Sequence, residues 1–97
     1  MRIISQNETV DIPYKKAVVY VDATDNTVCA RLSDKTAPVF FLGEYESAED
    51  ALFVMRCIRK EASMHTHYFD MPSKEDAQSQ REALENDDLY KTLFPLI

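Results

Sequence analysis

Glycine is nearly absent from this 97-residue chain: Gly43 is the only one. Glycine-rich phosphate loops and the dinucleotide-binding fingerprint need several glycines, because a residue without a Cβ lets the backbone approach a phosphate closely. Both are excluded. Gly43 itself stands two residues before Tyr45, where the predicted strands give way to a helix. Tryptophan is missing altogether. The two cysteines, Cys29 and Cys57, lack the C-x-x-C spacing of a redox or zinc motif. Two unpaired thiols fit a reducing compartment, and both are expected to be small buried apolar residues. There are only two histidines, His65 and His67. A zinc site takes three or four ligands, so neither a metal nor a cofactor is expected. No apolar run approaches the ~20 residues that cross a bilayer, and the N-terminus lacks the apolar stretch of a secretory signal. The expected compartment is the cytoplasm, without membrane contact.

Acidic charge is what the chain has in excess. Seventeen acids against eleven bases give a net charge of −6. Duplex binding relies on clustered Lys and Arg, so direct nucleic-acid binding is not expected. The excess is uneven: residues 70–97 hold seven acids and three bases. Such a stretch is either a solvated face or a surface for a basic partner. The length suits a single domain over residues 1–97 with one modest core.

The first 45 residues alternate with period two, the pattern of half-buried strands. Ile3 and Ile4 begin one, ended by the polar turn Gln6-Asn7-Glu8. Val10 and Ile12 mark a second, stopped at Pro13, which has no N–H to donate. Ala17 to Val21 is a β-branched run read as a central strand. Asp22 to Asn26 form a turn, since short polar side chains bond their own backbone and tolerate left-handed conformation. Val28, Ala30 and Leu32 complete a hairpin over residues 17–33, and Ser33 to Thr36 turn again. Pro38 to Tyr45 is an aromatic strand with Phe40 and Leu42 on one face and Val39 and Phe41 on the other, both expected to be partly buried.

The period then changes. Ser47-Ala48-Glu49-Asp50 is an S-x-x-D cap, and Ala48, Ala51, Leu52, Met55, Ile58 and Ala62 form one apolar stripe. A helix is expected over residues 47–62. A strand is expected over 64–71, with His65, His67 and Phe69 on one face. Ser73-Lys74-Glu75-Asp76 is a second cap, opening an acidic helix over about 74–86 that continues into an apolar terminus at residue 97. The prediction is an α+β domain: a mainly antiparallel five- or six-stranded sheet packed by one amphipathic helix, with a second acidic C-terminal helix.

The opening Met1-Arg2-Ile3-Ile4-Ser5-Gln6, followed by Val10-Asp11-Ile12-Pro13-Tyr14, resembles a small protein family of prophages and mobile elements in Gram-positive bacteria. Members open with a similar MRIISQ and DVPY signature. Tyr45-Glu46-Ser47-Ala48-Glu49-Asp50-Ala51, with Met55, Ile58 and Arg59, is similar to the family's helix segment. Phe69-Asp70-Met71-Pro72 is similar to its late F-x-F-P element, although Met71 replaces the usual aromatic. The likeness covers about residues 1–72 and fails after Pro72. It implies mobile-element origin and a cytoplasmic host compartment. It implies no activity.

No catalytic set emerges. Cys57 falls within a helix between Phe53 and Glu61, neither of which supplies a general base with an orienting partner. Asp87-Asp88 and Glu75-Asp76 are adjacent acids, which point apart by roughly 100° on a helix. Binding is the better expectation, and the chain is read as a non-enzyme. Arginines that grip phosphate beside aromatics that stack a base suit a nucleotide. The candidates are Tyr20 and Arg31, which could meet across the hairpin, and Arg56 and Arg59 in a small basic patch with Lys60. The expected partners are a small nucleotide signal or a host defence protein, bound to counter host defence or regulation. The alternative is an assembly module. Leu89, Tyr90, Leu93 and Phe94 then form its interface, as a homo-oligomer.

Overall fold

The computed structural model describes residues 1–32 and 38–85. In chain order they form β1 (Arg2–Ile4), β2 (Asp11–Pro13), a 3-10 turn (Tyr14–Lys16), β3 (Ala17–Asp22), β4 (Thr27–Leu32), β5 (Val39–Glu44), α1 (Ala48–Ser63), β6 (Tyr68–Asp70) and α2 (Lys74–Glu85). The α+β class is as expected. The single sheet of five or six strands is not: there are two three-stranded sheets, ordered β2-β1-β6 and β3-β4-β5. β1 pairs antiparallel with β2 and parallel with β6, while both pairings in the second sheet are antiparallel. The run read as central, β3, lies at an edge, and β4 is in the middle.

The sheets part at Gln6, two residues past the end of β1. Its N–H donates to the Leu42 carbonyl at 2.8 Å. The next ladder position is taken by its side chain. Oε1 accepts from the Glu44 N–H at 3.0 Å, and Nε2 donates to the Glu44 carbonyl at 3.1 Å and the Pro72 carbonyl at 2.9 Å. The backbone is already turning, because the Glu8 N–H bonds the Ser5 carbonyl at 2.9 Å. Strand periodicity marks strands without naming their neighbours, so this seam was invisible in the pattern. Tyr45 closes it, donating from its hydroxyl to the Pro72 carbonyl at 2.9 Å. The Tyr45 ring lies over Gly43, where a Cβ would stand 2.9 Å from the hydroxyl oxygen. That close approach accounts for the lone glycine.

The β3–β4 hairpin turns as its residues suggest. Asp22 pairs with Thr27, the Asp22 carboxylate accepts from the Thr24 N–H at 3.0 Å, and Asn26 is left-handed at φ 58°. In β5, Leu42 is buried and Phe40 half-buried, but Val39 and Phe41 are exposed. The second face expected to be partly buried has no covering layer among the described residues.

Ser47 caps α1, its Oγ accepting from the Asp50 N–H at 3.1 Å. The buried arc of α1 is wider than the predicted stripe: Phe53 and Val54 are buried and Leu52 is exposed. The reason is that α1 packs against β3, β4 and α2. Asp50, at 1% exposure, pairs with Arg81 of α2. Arg81 also meets Glu85 at 2.8 Å and Glu49 at 3.5 Å. Asp50 spends its carboxylate on this tertiary pair, and not on a reciprocal capping bond.

The strand expected over 64–71 shrinks to Tyr68–Asp70. His65 sits at φ 58° and terminates α1. The His65 N–H bonds the Ala62 carbonyl and the Thr66 N–H bonds the Glu61 carbonyl, each at 3.3 Å. This is the Schellman pattern that satisfies the last helical carbonyls. The Thr66 hydroxyl adds a 2.6 Å bond to the Glu61 carboxylate. His65 and His67 are therefore not a pair on one strand face. Ser73 caps α2 as expected, accepting from the Asp76 N–H at 3.1 Å. Both sheets and both helices share one core, which includes Ile3, Ile12, Val28, Leu42, Val54, Ile58, Met71 and Ala77.

Candidate functional site

The site that best combines shape with charge lies between the 3-10 turn, β3 and α1. Pro13 has fixed the chain in extended conformation (φ −75°, ψ 126°), and Tyr14 to Lys16 then curl once before β3 begins. That curl sets Tyr14 and Lys15 beside the start of β3. Ala17 and Val19 recur on the inner face of β3. Met55, Ile58 and Arg59 recur at helical spacing on α1. Together these residues enclose a groove of about 460 Å³. Its floor is apolar, with Ile58 fully buried and Ala17, Val19 and Met55 half-buried. The two charged residues at the rim, Lys15 and Arg59, are exposed and both positive. Tyr14 is half-buried beside them.

A second hollow of about 350 Å³ contains Gln6, Thr27 and Phe41, with Asp25 and Glu44 as its charged residues. It would repel an anion. Among the described residues no group of three or more His, Cys, Asp or Glu stands close enough to hold a metal ion. No described helix is long and apolar enough to cross a membrane.

The sequence candidates fall in different places. Arg59 is in the cationic groove. Arg56, three residues earlier on α1, is half-buried and does not line it. Tyr20 and Arg31 do not face each other directly: Tyr20 pairs with Cys29, and Arg31 pairs with Val18. They stand diagonally on the outer face of the second sheet, away from Arg59's groove. Leu89, Tyr90, Leu93 and Phe94, the expected interface, lie outside the described residues. The groove's other cation, Lys15, was missed. The available signal was Pro13-Tyr14-Lys15-Lys16, a proline-fixed bend carrying a tyrosine and two lysines together.

Burial sets the chemistry of two weak acids outside the groove, Cys57 and Tyr45. The Cys57 thiol is pushed up to about 11 by desolvation, with Lys60 lowering it and Glu61 raising it. It stays protonated at neutral pH, which makes it a poor nucleophile. Tyr45 is raised above its ordinary value, chiefly by desolvation; the Gln6 bond lowers it and Cys57 raises it. Both groups act as neutral packing elements.

Comparison with family models, curated proteins and solved structures finds no match for the chain.

Proposed function

We propose that this chain is a non-catalytic binding protein for a small anion with a planar or apolar body, the chemistry of a nucleotide. The observation that carries this reading is the groove between the 3-10 turn, β3 and α1. It presents two cations, Lys15 and Arg59, over an apolar floor, in a chain whose net charge is −6. Its volume of about 460 Å³ falls within the roughly 300–1,000 Å³ typical of small-molecule clefts. An arginine fork and a lysine point charge are complementary ways to hold phosphate. Tyr14 offers a ring face, and the apolar floor accommodates a base or sugar. Sequestration of a host nucleotide signal, in the setting implied by the family resemblance, is the role we assign.

Calorimetric titration with linear and cyclic nucleotides tests it. One ligand class should bind with a single site per chain and weaken as salt rises. Lys15→Ala with Arg59→Gln should reduce that affinity by at least tenfold while the melting temperature holds. Absence of binding across the panel would refute the reading, as would equal binding by the double variant.

A further inference from the structure

We infer that β3 is a pairing edge for a second copy of this chain. The strand Ala17–Asp22 has one strand neighbour, β4, and no other among the described residues. An open edge presents unpaired N–H and C=O groups and is normally blunted by lysine, proline or a bulge. β3 has none of these: its sequence is Ala-Val-Val-Tyr-Val-Asp, and its ladder with β4 runs without a register shift. Val18, on the face turned from α1, is 46% exposed.

The charges flanking this edge favour a copy of the same chain. Lys15 and Lys16 precede the strand; Asp22 ends it and Asp25 follows in the turn. An antiparallel partner brings the end of one strand to the start of the other. A second copy thus sets its acidic end beside the basic end of the first, twice over by symmetry. The register follows. With Val19 on the two-fold axis opposite its own copy, Val18 falls opposite Tyr20, and Lys16, the last residue of the 3-10 turn before β3, comes to the Asp22 end of the other copy. The first is a β-branched residue against an aromatic, and the second a pair of opposite charges. The cross-strand pair stabilises an antiparallel sheet, and the opposite charges at the strand ends attract. The product is one continuous six-stranded antiparallel sheet, with both copies of α1 on the same side.

Sedimentation velocity on the intact chain, from micromolar to near-millimolar concentration, tests this. The expected result is reversible association to twice 11.2 kDa. Lys16→Glu should weaken it by roughly tenfold, because like charges then face each other at both ends. Adding Asp22→Lys to Lys16→Glu should restore association, since the charges are exchanged and not removed. Asp22 also accepts the Thr24 N–H, so circular dichroism melts must show that each variant is folded at the temperature used. A single-chain mass at every concentration would overturn the inference. So would a dimer indifferent to Lys16→Glu, which would place association on another surface.

Discussion

Scarcity of glycine leaves its mark on individual residues. Among the described residues three positions have positive φ, and Glu8 (63°), Asn26 (58°) and His65 (58°) occupy them. Asparagine adopts this conformation readily, but for most side chains it is strained. His65→Gly should therefore stabilise the fold by roughly 0.5–1 kcal/mol, the relief at the helix end exceeding the added freedom of the unfolded chain. Urea midpoints measure this; a lower midpoint would show that the imidazole makes a contribution of its own. Cys57 supplies a pH dependence at the same scale. Its thiol is held near 11 by burial, whereas the unfolded chain releases that proton at about 8.5–9. Between these values the unfolded state binds fewer protons, so stability is complete below about pH 9 and falls as pH rises toward 11. The loss attributable to this group is at most ~2–3 kcal/mol. Comparing urea midpoints of the parent and Cys57→Ala from pH 8 to 10.5 isolates it from the other titrating groups. The variant should show the shallower decline, and parallel curves would contradict the assignment.

Elements were more legible than the contacts between them. Ser47 and Ser73 each announced a helix and each caps one, because a cap is local chemistry written within four residues. The β3–β4 hairpin was equally local. The strand over 64–71 failed because alternation around His65 imitates a strand, while the backbone there satisfies the carbonyls of α1. The seat of α2 was also hidden. Its predicted face was weakly apolar, and what fastens it is Asp50 to Arg81, thirty-one residues apart. Arg81 is held protonated well above its ordinary range, first by its hydrogen bond to Asp50 and then by that to Glu85. Removing one partner from such a pair leaves a desolvated charge. Arg81→Met, which keeps most of the apolar stem, should cost about 3 kcal/mol. Asp50→Leu combined with Arg81→Met should recover much of that, since no orphaned carboxylate remains. Hydrogen exchange offers the sharper check: α2 amides should lose protection in the single variant before those of β4. Uniform loss would mean that α2 does not open on its own.

On the scale of the whole molecule, two small sheets are made one folding unit by a shared core and by the Gln6 seam. Ile3 and Ile12 of one sheet and Val28 and Leu42 of the other belong to the same buried cluster. The opening segment is thus structural in part: Ile3 fills the core, Ser5 is buried, and Gln6 ties β1 to β5 and to the residues before α2. The groove could not be read from one stretch of sequence, since Lys15 and Arg59 meet only after the chain has built a sheet and returned as a helix. If the core is truly shared, cutting the seam should weaken the molecule without dividing it. Gln6→Ala removes the partner of the Glu44 N–H and one of the two donors to the Pro72 carbonyl; the Tyr45 hydroxyl keeps the other. Glu44 is exposed, so water replaces part of what is lost. The expected cost is about 1–2 kcal/mol. With no tryptophan in the chain, fluorescence comes from its five tyrosines, among them Tyr20 of β3 and Tyr68 of β6, and far-ultraviolet circular dichroism reports chiefly on the helices. In urea the two should fall together, at a lower midpoint and with an unchanged slope. Separate transitions would mean that the variant no longer unfolds as one unit and that the Gln6 seam had been holding its parts together.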